Sequence, residues 1–131
     1  MKVALHGLAL KAEVFSEVQS LFNELTAHQF EIFVTEQFDK QLRKHGGKSL
    51  SYWVLESRQD MAAMDFVISI GGDGTLLDAV CQVGDLEIPI LGLNTGRLGF
   101  LATVATEKIS DSIADLLISM ENTSTAIGLM D

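Results

Sequence analysis

Three consecutive segments indicate how this chain folds: Phe66-Val67-Ile68-Ser69-Ile70, Gly71-Gly72-Asp73-Gly74-Thr75 and Leu76-Leu77-Asp78-Ala79-Val80. The apolar run predicts a buried strand, and the last segment has a helical pattern. The three glycines of the loop between them allow positive φ and a close approach of the backbone to a ligand. Backbone N–H groups in such a loop, at the start of a helix, form a site for anions.

Asp73 is unusual in this loop, because a carboxylate repels phosphate unless it binds a metal or accepts a proton from an attacking group. Phosphoryl transfer is a chemistry that uses both. The alternative interpretation is a glycine-rich turn with Asp73 as a solvated helix cap, since Gly and Asp favour turns in general. Two other glycine motifs are excluded by spacing. The dinucleotide pattern G-x-G-x-x-G would need a glycine at Leu77, and a phosphate loop ending in Gly47-Lys48-Ser49 would need one at Leu42.

The composition indicates one globular domain with a negative charge. The chain has 131 residues, of which 47% are hydrophobic, and a formal net charge of −9. This charge argues against a nucleic-acid partner or an anionic membrane surface, which require clustered Lys and Arg. A phosphorylated ligand is therefore expected to arrive with Mg²⁺ and to meet a local site.

Cys81 is the single cysteine, which excludes an intrachain disulfide, and it is interpreted as a small core residue. No membrane-spanning run or signal-peptide pattern is found, so a cytoplasmic location is expected.

Short apolar runs alternate with helical periodicity along the chain. The predicted strands cover residues 3–5, 32–34, 66–70 and 88–91; the predicted helices run through 14–25, 38–42, 76–83 and 109–120, with Thr106 as a cap of the last. This alternation predicts an α/β fold in three layers, a Rossmann-like parallel sheet with helices on both faces. Ligands in such sheets bind outside the carboxyl ends of the strands. The loop 71–75 and the segment Asn94-Thr95-Gly96 should therefore lie side by side.

Two stretches have no clear period. Residues 49–60 are predicted to form a loop in which Tyr52 and Trp53 are aromatic anchors. Residues 121–131 are mostly small and polar, and we expect an unstructured or aberrant tail after an α/β domain of residues 1–120. A chain with such an end has the appearance of a truncated one.

Two segments resemble the NAD kinases, which make NADP with ATP or polyphosphate as donor. They are residues 71–77 and Asn94-Thr95-Gly96-Arg97-Leu98-Gly99-Phe100-Leu101. The first motif is shared with diacylglycerol and sphingosine kinases, and in looser form with 6-phosphofructokinases. The second motif singles out the NAD kinases. The resemblance extends from the first strand to the last helix but covers only the N-terminal domain of that family. Its C-terminal β-rich domain, with a motif for the nicotinamide-side ribose, is expected to be absent here, so this chain is expected to be an inactive N-terminal portion.

The resemblance also implies roles for single residues. Asp73 would be the general base that takes the proton from the adenosine ribose 2′-hydroxyl of NAD. Arg97 would either neutralise phosphate or be solvated, and Phe100 would be an aromatic at the edge of the core or an apolar wall beside the substrate. The full set of residues expected to contact ligand is Gly72, Asp73, Gly74, Thr75, Asn94, Arg97 and Phe100.

Other positions depart from this pattern or stay outside it. Family members often have a basic residue where this chain has Asp78, which is therefore interpreted as a solvated helix position. His6, at a strand end, is interpreted as a structural histidine rather than one that reaches the ligand. The implied ligands are NAD, ATP or polyphosphate, and Mg²⁺ or another divalent cation, and the full-length protein is expected to be a homo-oligomer. The alternatives are a lipid kinase of the diacylglycerol or sphingosine type, and a non-catalytic fragment that binds phosphate.

Overall fold

The computed structural model describes residues 1–46, 50–94 and 104–105. Within them, six strands form one sheet in the order β3-β2-β1-β4-β5-β6, and every neighbouring pair is parallel. The strands are β1 (Lys2–His6), β2 (Glu31–Val34), β3 (Trp53–Val54), β4 (Phe66–Gly71), β5 (Ile90–Asn94) and β6 (Val104–Ala105). The helices are α1 (Phe15–Ala27), α2 (Glu36–Lys44), α3 (Arg58–Ala62) and α4 (Asp73–Val83). In this part of the chain, no helix has both the length and the apolar character needed to span a bilayer.

Helices cover both faces of the sheet. Because alternate residues of each strand point to opposite faces, each face contributes to a core of its own. Val3 and Leu5 of β1 belong to a core that includes Leu21 of α1 and Phe38 of α2. Ala4, between them, belongs to a second core with the residues Met61 of α3 and Leu76 and Ala79 of α4. The predicted three-layer α/β architecture with a parallel sheet is thus confirmed.

Of the predicted loop 49–60, residues 50–60 are described, and they are more regular than predicted, since they contain β3 and the start of α3. Tyr52 anchors this segment. Its hydroxyl donates to Asp39 Oδ1 at 2.7 Å, and its ring centroid lies 5.9 Å from that of Phe22. Trp53 is 57% exposed and stacks on Phe33 with a centroid distance of 5.3 Å. The anchoring role therefore belongs mainly to Tyr52.

Two further predictions need correction. Cys81 is exposed rather than in the core, because the buried side of α4 is formed by Leu76, Ala79 and Val83. The fourth predicted strand begins at Ile90 instead of residue 88. Pro89 lies just before it and accepts a hydrogen bond from the Val67 N–H at 2.9 Å through its carbonyl oxygen, a position where its missing N–H costs nothing. The predicted helix 109–120 with its cap at Thr106 and the tail 121–131 lie outside the described residues.

Candidate functional site

The predicted loop lies at the point where the strand order changes direction. β1 has β2 on one side and β4 on the other, so the crevice outside the carboxyl ends of β1 and β4 is a topological switch point, where ligands of open α/β sheets bind. Gly71 ends β4, and Gly72 is the N-cap of α4, whose first residue is Asp73. Gly71 is paired in register with Asn94, the last residue of β5. The two predicted loops therefore begin side by side, as expected.

The glycines of the loop differ in what surrounds them. Gly71 has a φ of 155°, and a Cβ atom there would collide with Thr75 Oγ1 and lie 2.8 Å from Thr75 Cβ. At Gly72 and Gly74, in contrast, an added Cβ would meet no heavy atom within 4 Å. Gly71 is thus required by the internal packing of the loop, whereas Gly72 and Gly74 border open space that a ligand could fill.

The start of α4 has the electrostatic character of an anion site. The first N–H groups of a helix lack intrahelical acceptors, and the positive end of its dipole lies there. Gly72 is exposed and provides no side-chain cap. Asp73 is half-buried and puts its carboxylate at the same helix end. The N-terminal N–H groups of α4 and the Asp73 carboxylate therefore occur within one turn. That this turn binds an anion stays a prediction.

The other predicted site residues are placed less completely. Thr75 is 9% exposed, and its side chain packs against Gly71, so it supports the loop from inside. Its contact with ligand stays a prediction. Asn94 is located through its backbone in β5, and Arg97 and Phe100 lie outside the described residues.

A group of polar side chains beside this loop was not predicted. His6 is 1% exposed at the end of β1; its Nε2 lies 2.7 Å from Asp78 Oδ2, and its Nδ1 lies 2.7 Å from Thr35 Oγ1. Gln82 Nε2 donates to Asp78 Oδ2 at 2.8 Å. Asp78 is therefore not the solvated helix position that was predicted. His6 is a buried structural histidine, as expected, and we refer to His6, Thr35, Asp78 and Gln82 as the His6 cluster.

Burial controls the protonation of this histidine. Loss of contact with water lowers the pKa of His6 below its ordinary value of 6.5, although the hydrogen bond and the negative charge of Asp78 act in the opposite direction. The net shift is downward. The neutral imidazole is therefore the favoured form at neutral pH.

A family model for the ATP-NAD kinase N-terminal domain matches residues 7–120 of the chain. The chain belongs to the NAD kinase family. It is 41% identical over 116 residues to the NAD kinase of Bacteroides fragilis, which covers 88% of the chain and 40% of that relative. It is 36% identical over 118 residues to the NAD kinase of Cytophaga hutchinsonii, with 89% and 40% covered. The chain thus spans about 40% of the length of these curated relatives.

The loop 71–75 offers a single carboxylate to a divalent cation. Among the described residues, no three His, Cys, Asp or Glu side chains are grouped so that they could hold a metal ion. Mg²⁺ in kinases is commonly held by one or two carboxylates together with substrate phosphates. Asp73, beside the open space at Gly72 and Gly74, is the carboxylate that would serve here.

A separate polar cleft of about 280 Å³ lies next to the His6 cluster, between the beginnings of α2 and α3. Thr35 and Gln82 line it, together with Glu36, Gln37, Leu55, Glu56, Ser57, Arg58 and Met61. It contains none of the predicted site residues.

Proposed function

We propose that the complete protein is an NAD kinase, which transfers a phosphoryl group from ATP or polyphosphate to the 2′-hydroxyl of the adenosine ribose of NAD and yields NADP. The observation that carries this proposal is the position of Asp73. It is the first residue of α4, next to glycines that border open space, at the switch point of a parallel sheet. Membership of the NAD kinase family supports the same reaction.

Asp73 acts as the general base in this proposal. A ribose hydroxyl is a poor nucleophile, and removal of its proton by a positioned carboxylate typically accelerates transfer by about 10²–10⁴-fold. As the new bond between the 2′-oxygen and phosphorus forms, the proton passes to the Asp73 carboxylate and the bond to the donor's leaving oxygen breaks. No covalent intermediate with the enzyme is required.

The loop backbone binds and orients phosphate. Gly72 and Gly74 leave room beside the start of α4, where the helix dipole and the backbone N–H groups attract negative charge. A net charge of −9 repels a phosphorylated ligand at a distance, so the attraction has to be local. Mg²⁺, when bound with the donor, supplies the remaining neutralisation of phosphate charge.

We further propose that the 131-residue chain alone does not phosphorylate NAD. It spans about 40% of the length of its relatives, and the family model that it matches is that of the N-terminal domain. Alignment of a hydroxyl with a donor phosphate provides most of the catalysis in such enzymes, and it requires residues that hold both substrates in line.

We also propose that the reaction takes place in the cytoplasm, where NAD and ATP are available.

The test is an assay of the complete gene product with Mg²⁺, NAD, and either ATP or polyphosphate, in which NADP is detected with an NADP-specific dehydrogenase. NADP formation is expected. Asp73→Asn is expected to lower turnover by at least about 10²-fold, because Asn retains the shape of Asp but does not accept the proton, while the KM for NAD changes much less. Absence of NADP with both donors would refute the proposed reaction. A raised KM with normal turnover in Asp73→Asn would show that Asp73 binds substrate and is not the base.

A further inference from the structure

The His6 cluster connects three elements that meet beside the proposed site. His6 ends β1, Thr35 is the N-cap of α2, and Asp78 lies in the middle of α4. At about 1.5 Å of rise per residue, Asp78 is roughly 7.5 Å along the helix axis from Asp73. Because a helix is stiff over such a length, a constraint on Asp78 also constrains the first residue of α4.

The hydrogen bonds of the cluster have one consistent direction. The Phe38 N–H donates to Thr35 Oγ1 at 3.3 Å, which leaves the hydroxyl proton of Thr35 for another acceptor. An ionised carboxylate is an acceptor only, so the proton between His6 and Asp78 belongs to Nε2 of the imidazole. Nδ1 of the neutral ring then accepts the hydroxyl proton of Thr35. The result is a continuous chain from the Phe38 N–H through Thr35 and His6 to Asp78.

The environment of the cluster explains why this series of hydrogen bonds would hold its geometry. Thr35 is 3% exposed and His6 1%, so water does not compete for their bonds, and hydrogen bonds in such surroundings are stronger than in solution. Asp78 is the charged group that faces His6, and Gln82, which approaches Nε2 to 3.4 Å, donates its own N–H to Asp78. The apolar contacts of α4 with the sheet are non-directional. The bond from His6 adds a directional constraint to them.

We propose that His6 is a positioning residue for phosphoryl transfer, which as a neutral imidazole fastens α4 to β1 and to the N-cap of α2 and so holds Asp73 in its working orientation. This inference rests on the proposed function. It assigns a role in the reaction to His6 and Asp78, two residues that contact neither substrate in the proposal.

The test compares two substitutions of Asp78 in the complete gene product. Asp78→Ala removes the acceptor, whereas Asp78→Asn removes the charge and keeps an oxygen that accepts from His6 Nε2–H. Asp78→Ala is expected to lower turnover about 10- to 100-fold with a smaller change in the KM for NAD, since small displacements of a catalytic group have effects of this size. Asp78→Asn should recover most of that loss. Cys81→Ala, at an exposed position on the same helix, is the matched control and should behave as wild type.

A second measurement does not depend on activity. Hydrogen exchange of the α4 amides from Leu76 onward, the first of which donates to the Gly72 carbonyl, should be about tenfold faster in Asp78→Ala than in wild type, as expected for the loss of one hydrogen bond to a charged group, and close to wild type in Asp78→Asn. Long-range proton–nitrogen NMR should show the Nε2–H tautomer of His6 at neutral pH.

The outcomes separate the two proposals. If the wild type forms no NADP but exchange responds as expected, the proposed reaction fails and the linkage between His6 and α4 stands. If exchange in Asp78→Ala equals that of wild type, or if His6 is found as the Nδ1–H tautomer or as an imidazolium, the inference is overturned even when NADP is formed. Equal loss of turnover in Asp78→Ala and Asp78→Asn would also overturn it, because charge and not the bond would then matter.

Discussion

Substitution of Gly71 by Ala should destabilise the domain, while the same substitution at Gly74 should not. At Gly71, a methyl group would collide with Thr75 Oγ1 and lie 2.8 Å from Thr75 Cβ, and the backbone φ of 155° is rarely adopted by residues with a side chain. Thr75 is buried in the first turn of α4, so it has little room to move away.

The magnitude follows from two contributions. A non-glycine residue in a sparsely populated backbone region costs about 1–3 kcal/mol. An extra methyl group forced into a packed interior costs about 1–3 kcal/mol more. The free energy of unfolding should therefore fall by roughly 2–6 kcal/mol, a large part of the about 5–15 kcal/mol of a typical domain. At Gly74, an added methyl group meets nothing within 4 Å, and Ala favours a helix over Gly by about 0.8–1.0 kcal/mol.

The assay is urea unfolding of the 131-residue chain, followed by far-ultraviolet circular dichroism, for wild type, Gly71→Ala and Gly74→Ala. A second assay, of NADP formation by the complete protein, should show that Gly74→Ala impairs turnover or raises the KM of the phosphoryl donor in spite of its normal stability, because the methyl group occupies the space assigned to phosphate. The reasoning is refuted if the free energy of unfolding of Gly71→Ala lies within about 0.5 kcal/mol of the wild-type value, which is the usual range of neutral surface changes. It is also refuted if Gly74→Ala loses as much stability as Gly71→Ala.

Three further predictions concern the chain as a whole and its buried polar groups. Tyr52→Phe removes the hydrogen bond to the carboxylate of Asp39 and should lower the urea unfolding free energy by about 1–2 kcal/mol; no change would show that water replaces the hydroxyl at no cost. Burial lowers the pKa of His6, so below pH 6.5 the unfolded state binds more protons than the folded state, and stability should fall as the pH drops from 6.5 towards the lowered pKa. His6→Gln should abolish that slope, and an unchanged slope would assign it to other groups. Finally, the 131-residue chain should fold but form no NADP above a no-protein control; turnover in this chain that is lost on Asp73→Asn would show a complete site within it.

The sequence was sufficient for the elements that are long enough to show a period. β4 and α4 were predicted because a five-residue run with four apolar residues precedes the glycines and a helical pattern follows them, and the loop between them is contiguous in sequence. β3 and β6 have two residues each and α3 has five, which is too short for alternation or helical periodicity to appear. Cys81 was misplaced because neighbouring apolar residues of α4 obscure which side of the helix faces the sheet.

The His6 cluster depends on the order of strands in the sheet, which the pattern of residues along the sequence does not contain. His6, Thr35 and Asp78 are far apart in sequence and meet only because β1 lies between β2 and β4. Alternation of strands and helices predicts the layers, but the order of strands within the sheet determines which side chains become neighbours. The loop that contains Asp73 could be predicted without such information, because its glycines adjoin Asp73 in the chain.

The central position of β1 has a consequence for synthesis of the protein. β2 is synthesised well before β4, so β1 can pair on one side first. Its other edge needs β4, and Lys2 and Asp65, which hydrogen-bond at that junction, are 63 residues apart. A ribosome adds about 5–20 residues per second, so roughly 3–13 s separate the two strands during translation. Throughout this interval, a strand that includes Val3, Ala4 and Leu5, all fully buried in the final fold, has an unpaired edge. Among the described strands, the one at the centre of the finished sheet waits longest for its second neighbour, and the nascent chain is most prone to aggregate during that wait.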